Sequence, residues 1–332
     1  MDPLTQGVVG AAVSQQPANK KTILVATLLG FFSGLAPDLD IFIRSKHDPL
    51  LVLEFHRQFT HSLIFIPIGG LICAVVFYYL FSKRKGMTFK KTYIFTTLGY
   101  GTHGLLDTCT SYGTQLLWPF SDNRFSWNTI SIVDPLFTMP ILVLIIFAAV
   151  KKNKIFARLA LGWIIFYCVF GLIQKERAKE IGKQIATSRG HDPIKIVAKP
   201  SLANLFVWKT IYNTERNYYV DAVRVGIKSK IYEGSKVKKL NVSESFPWLD
   251  SNSQQAKDIE RFRWFSGGYL ALSKKHQNRI IDIRYSMLPN EINGLWGIEL
   301  NRKADNASHV KYVFNRERNS DTINKLWKMI VD

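Results

Sequence analysis

The stretch Ser62 to Ser82, SLIFIPIGGLICAVVFYYLFS, runs for 21 residues without a charged side chain. About 20 mostly apolar residues are needed for a helix to cross the hydrocarbon of a bilayer, so the stretch reads as a membrane span. Upstream, Ile23 to Ile43 is of the same kind, and downstream so are Leu136 to Val150 and Leu159 to Ile173; Thr92 to Leu106 is a fifth, more polar candidate. Residues 1–174 are therefore expected to form an α-helical polytopic membrane domain of about five spans. From Lys175 the pattern changes. A charged helical stretch, QKERAKEIGKQIA, leads into alternating runs such as NYYVDAVRVGIKSKIYEG, RIIDIRYSML and HVKYVFN, separated by turn formers. Residues 175–332 read as a soluble α+β or mainly β domain.

Basic loops orient the spans. Lys20 and Lys21 precede the first span, SKRKGMTFKK (Ser82 to Lys91) separates the second from the third, and KKNKIFAR (Lys151 to Arg158) separates the fourth from the fifth. Placing all three in the cytoplasm puts the N-terminus inside and the C-terminal domain on the extracytoplasmic side. The opening MDPLTQG lacks a basic n-region and a cleavable apolar core, so the first span is expected to serve as an uncleaved targeting signal. Net charge is +19, and from Lys175 onward 29 Lys and Arg face 17 Asp and Glu. That surplus suits a solvated basic surface or attraction to anionic lipid. No nucleic-acid-binding module is recognisable, so nucleic acid is not expected as a partner. Cys73, Cys109 and Cys168 all lie in or beside apolar spans, which excludes a disulfide framework from the C-terminal domain.

This orientation has a chemical consequence: Asp38, Asp40, His56, His61, His103, Asp107 and Asp134 all gather at the outward ends of spans. In LAPDLD (Leu35 to Asp40) proline disfavours helix at Ala36, and an extended backbone would aim Asp38 and Asp40 the same way. They would then be a pair of ligands, or merely polar residues where a span meets water. In HRQFTH, His56 and His61 converge best if His56 sits in a loop and Thr60 caps a helix opened by His61. Arg57 between them can grip a phosphate or carboxylate oxygen. His103 and Asp107, four apart, share a helix face and can be two ligands, a ligand and its orienter, or a buried pair joining helices. Asp134 is a ligand or a helix cap. Neutral imidazole with carboxylate suits zinc, manganese or iron, and a metal-activated water would be the nucleophile.

Taken in order, MDPLTQGVVGAA, GLAPDLD, HRQFTHS, GTHGLLD, TSYGT, PFS and IVDP resemble the membrane-bound metal-dependent hydrolases, the YdjM-type inner-membrane proteins of bacteria. The resemblance covers roughly residues 1 to 140. It implies a multi-span bacterial inner-membrane protein with a divalent-metal site at Asp38, Asp40, His56, His61, His103 and Asp107, and hydrolase activity of unassigned substrate. Many relatives carry histidine in the opening MD-x-x-TH motif where this chain has Gln6, which leaves the site with fewer ligands or the opening segment only packed nearby; Asp2 is a further candidate. The resulting expectation is hydrolysis of a phosphoester or other ester, with membrane lipid as a candidate substrate, and with Arg57, His61 and Asp107 as catalytic residues. The competing readings are a structural or sensory metal site, and a membrane anchor for a C-terminal binding domain.

Overall fold

A computed structural model describes residues 1–315 and 320–331. The chain forms two compact units. One holds Met1–Phe42, Phe55–Ile173 and Leu202–Asn204; the other holds Ile43–Glu54, Gln174–Ser201 and Leu205–Asp332.

The first unit is helical and opens with α1 (Pro3–Ser14), capped by Asp2, which accepts from Thr5 N at 3.0 Å. Hydropathy did not announce this helix, because its Thr5, Gln6 and Ser14 are polar; all three are buried. It packs on α2 (Ile23–Leu35). Lipid gives apolar helices little reason to prefer each other over acyl chains, so close approach of small residues takes over. A Cβ added to Gly10 would collide with the Gly30 carbonyl oxygen, and one added to Gly34 would stand 2.8 Å from that of Gln6.

α2 passes at Ala36 into a 3-10 turn, Ala36–Phe42. Ala36 keeps right-handed helical angles, so Pro37 changes the winding without extending the chain, contrary to the extended reading of LAPDLD. A short helix α3 (Leu51–Phe55) and two 3-10 turns, Phe59–His61 and Leu63–Phe65, precede α4 (Ile66–Phe77). Thr60 lies inside the first of these turns and caps no helix. α5 (Phe89–Cys109) packs against α1, α2 and α4. α6 (Pro135–Lys151) begins at the cap Asp134, and α7 (Lys154–Ser188) follows.

Three helical segments are long and apolar enough to cross a membrane: Ile23–Phe42, Leu63–Lys85 and Lys154–Ser188. The count of five is not met on these terms. α6 has only 17 residues. α5 has 21 but buries Thr92, Thr96, His103 and Asp107, polar groups that protein neighbours rather than lipid must solvate.

The main part of the second unit begins where α7 loses its apolar character, at Gln174, and the segment Ile43–Glu54 joins it. Four antiparallel strands follow in sequential order, β1 (Lys195–Pro200), β2 (Val207–Asn213), β3 (Asn217–Val225) and β4 (Ser229–Lys238). β2 is buried along nearly its whole length because both faces are covered. Thr210 meets α7 at Gly182, while Ile211 joins Val220, Ala271 and Ile281 in a core shared with a second sheet. Between the sheets in sequence come α8 (Val242–Ser245) and α9 (Gln254–Phe265); the second sheet is β5 (Leu270–Leu272), β6 (Arg279–Asp282), β7 (Trp296–Glu299) and β8 (Lys311–Phe314), also an antiparallel meander. α10 (Ser320–Val331) closes the described chain.

Lys199 and Lys209 are paired across β1 and β2 and both are buried. Lys209 Nζ donates to Ser286 Oγ at 2.8 Å and to the Glu291 carbonyl at 2.6 Å. Burial, only partly opposed by Asp282 and Glu291, pushes its ammonium down to about 7 from an ordinary 10.5. Between those values the unfolded chain binds more protons than the folded one, so stability rises with pH. The thermal midpoint of this unit is expected to climb between pH 7 and pH 9, and to climb less in Lys209→Met. Equal slopes in the two proteins would refute the assignment.

Candidate metal centre

Asp38 and Asp40 come from the 3-10 turn that ends the first candidate span. In such a turn residues two apart diverge, and the two carboxylates have different partners. Asp40 is enclosed: Oδ1 lies 2.7 Å from His56 Nδ1, and Oδ2 accepts from Arg57 N at 3.0 Å and from Thr60 Oγ1 at 2.8 Å. Asp38 keeps 29% of its side chain exposed and turns Oδ1 toward two imidazoles, 3.4 Å from His61 Nε2 and 3.2 Å from His103 Nε2.

The two imidazoles are aimed by their other nitrogens. His103 Nδ1 lies 2.6 Å from the Gly34 carbonyl oxygen, which only accepts, so Nδ1 carries the proton. His61 Nδ1 lies 3.2 Å from Asp40 Oδ2 and 2.9 Å from Thr60 Oγ1. Both Nε2 atoms then face carboxylates, with Asp107 Oδ2 at 3.5 Å from His61 and 3.8 Å from His103. His61 Nε2 and Asp107 Oδ2 are buried without a hydrogen-bond partner. Neutral imidazole lone pairs facing carboxylate oxygens repel; a proton or a cation between them removes the conflict. Burial by itself would depress the His61 value, yet Asp107, Asp38 and Asp40 raise it to about 10. A divalent ion competing for this place therefore displaces a proton.

Asp38, His61, His103 and Asp107 offer four ligand atoms lying within 4.8 Å of one another, and Asp38, Asp40 and His56 form a second such group. The two nitrogens and two oxygens of the first group fit zinc, manganese or iron, with both imidazoles oriented from behind in the manner of metal-ligating histidines. In the second group, Asp40 is already committed to Arg57 N, Thr60 Oγ1, His61 Nδ1 and His56 Nδ1.

Asp107 is held from outside the group. Gln6 Nε2 donates to its Oδ1 at 2.8 Å, the Met1 amine contacts the same oxygen, and Arg57 Nε lies 2.9 Å from Oδ2. Gln6 thus touches a candidate ligand directly. Arg57, buried and with positive φ, donates to Thr110 Oγ1 at 3.1 Å and lies over the Tyr112 ring, 4.6 Å from its centre. Asp2 and Asp134 stand outside both groups: Asp2 caps α1, and Asp134 caps α6 while accepting from Tyr167 Oη at 2.8 Å. Sequence spacing gave Thr60 a capping role in place of its bond to Asp40, left Gln6 undecided, and missed Thr110 and Tyr112. The TSYGT motif was a usable signal for the last two, whereas the Gly34 carbonyl left none.

Removing an orienter should weaken the centre without emptying it. Asp40→Asn is expected to cost about 10- to 100-fold in divalent-metal affinity, the usual price of an outer partner, measured by chelator competition. Unchanged affinity would mean that Asp40 only packs.

Residues 1–178 match the YdjM inner membrane protein family. The chain belongs to that family. Among curated relatives, the YdjM-type chain is 25% identical over 232 residues to "Uncharacterized protein YfhP" of Bacillus subtilis (strain 168), covering 66% of this chain and 67% of the relative. It is 37% identical over 108 residues to "Inner membrane protein YbcI" of Escherichia coli (strain K12), covering 31% of this chain and 60% of that relative. The first match is longer than the YdjM segment itself, so likeness to YfhP extends into the second unit. No solved structure matches the chain.

Proposed function

We propose that this YdjM-family protein is a metal-dependent hydrolase that cleaves a phosphoester or other ester, with membrane lipid as the leading substrate class, at the outer face of the inner membrane. The observation that supports the metal is the pair of Nε2 atoms, His61 and His103, turned by their Nδ1 partners onto Asp38 and Asp107. Those four residues would hold one divalent ion, zinc first by donor type. Bound there, it would polarise the scissile group and acidify a water.

The chain's own groups supply the rest. Arg57 pairs with Asp107 and fixes it, and its charge lies where an anionic substrate oxygen would be drawn. Asp40 holds the Nδ1 side of His56, leaving Nε2 of a side chain 18% exposed to move a proton at the leaving group. Asp38, the most exposed of the four ligands, marks the side from which substrate enters. The basic loops favour an orientation with this face outward, α5 and α6 completing five crossings.

The test is elemental analysis of detergent-purified protein, followed by hydrolysis assays on phospholipids and generic phosphoesters with and without chelator. Stoichiometric metal with chelator-sensitive cleavage supports the reading. Metal without cleavage of any substrate would turn the centre into a structural or sensory one, and absence of metal after each ion is added back would sink it.

A further inference from the structure

The family match ends at residue 178, and the centre above gives the second unit no task. That unit has an unusual face beside the point where α7 leaves its apolar run. Gln174 Nε2 donates to the Val225 carbonyl at 2.9 Å, and Arg177, one turn on, donates to that of Gly226 at 2.6 Å. The β3–β4 hairpin is thus tied to α7 at Gln174 and Arg177, among the first residues of α7 past its apolar run.

Hairpin tips normally carry polar turn formers. Here the tip residue is Ile227, fully exposed, with Lys228 and Lys230 exposed next to it. α10 lies alongside, tied by Arg224 Nε to the Ile330 carbonyl at 2.9 Å and by Tyr232 Oη to that of Met329 at 3.2 Å. Leu326, Met329 and Ile330 face the unit's own core. The adjoining stripe Ile323, Trp327 and Val331, at i, i+4 and i+8, is left bare, Trp327 being 62% exposed. Lys325 and Lys328 flank it. No acidic residue lies between Ala222 and Tyr232. The acids that bound these elements in sequence are Asp221, paired with Arg189, and the exposed Glu233 on either side of that stretch, with Asp321 at the start of α10 and Asp332 after Val331; the lysines face no acid between those bounds on the hairpin.

Exposed isoleucine and tryptophan edged by lysine suit a lipid headgroup layer: the rings and branches enter the acyl boundary and the lysines stay with phosphate. α7 supplies the place. Its 35 residues measure about 52 Å at 1.5 Å per residue, against about 30 Å of hydrocarbon, so the helix leaves the bilayer near the hairpin. We propose that the face built from Ile227, Ile323, Trp327 and Val331 docks on the anionic headgroup surface of the bilayer that α7 crosses. This rests on α7 as a span and is independent of the metal reading.

The experiment uses the full chain with Cys73, Cys109 and Cys168 replaced by alanine, carrying one environment-sensitive fluorophore on Ile227→Cys, Trp327→Cys or, as control, Ser243→Cys. Ser243 follows the far end of β4, a ten-residue strand about 30 Å long. Proteins are reconstituted in phosphatidylcholine vesicles with or without phosphatidylglycerol. The first two labels are expected to emit to the blue and to resist acrylamide quenching about threefold better than the control in anionic vesicles. The protection should shrink in Lys228→Glu, Lys230→Glu, Lys325→Glu, Lys328→Glu combined. Quenching equal to the control in anionic vesicles overturns the proposal. So does protection that persists in detergent and grows with protein concentration, which would assign the face to a second copy of the chain.

Discussion

Replacing His103 with alanine is expected to strip the protein of its divalent ion and reduce chelator-sensitive hydrolysis to background. The imidazole is fully buried, its Nδ1 is fixed on the Gly34 carbonyl, and its Nε2 faces Asp38 and Asp107. Losing an outer partner costs about 10- to 100-fold in metal affinity, so losing a ligand should cost at least about 100-fold. The Gly34 carbonyl also loses a partner, a penalty of about 1–3 kcal/mol, so monodispersity and melting must be checked alongside. A folded variant that keeps stoichiometric metal would remove His103 from the centre; one that loses metal yet still hydrolyses would separate the centre from the activity.

Gly104→Ala is expected to damage the same centre without touching any ligand. A Cβ at this position would fall far inside contact distance of the His61 carbonyl oxygen, with the His61 Cα at 3.5 Å. α5 belongs to a packed bundle, so the short turn Phe59–His61 must yield. Overpacking of this kind costs about 1–3 kcal/mol, and a displacement of His61 moves its Nε2 off Asp38 and Asp107. Chelator competition should show weakened metal binding with the variant still inserted in the membrane. Wild-type affinity would mean that the turn relaxes without carrying the imidazole along.

The membrane class and the residues of the candidate centre were legible because both depend on local pattern: long apolar runs, and His and Asp at the ends of those runs. His103 and Asp107 do share a face of α5, as their spacing implies. What failed was conformation decided by tertiary partners. LAPDLD reads as extended from proline alone, but the chain keeps helical winding through Ala36 and sends Asp38 and Asp40 to different neighbours. Thr60 looks like a cap and instead donates to Asp40, a contact made only when residues 40 and 60 meet in space. α5 and α6 read as spans, and of these one buries a polar face and the other has 17 residues, so neither counts among the three segments that are long and apolar enough on their own. The opening helix escaped notice for a related reason, since a segment enclosed by protein need not be apolar.

That enclosure sets an order of events during synthesis. α1 emerges first, but the helices that bury it include α5 and α6, the latter ending at Lys151. At 5–20 residues per second, roughly 7 to 27 seconds separate the end of α1 from the end of α6. Ser14 waits for the Phe95 carbonyl, Gln6 for Asp107 and the Thr5 hydroxyl for Thr138, all of which are made after α1. α1 is thus a helix whose polar partners in other helices are all made after it.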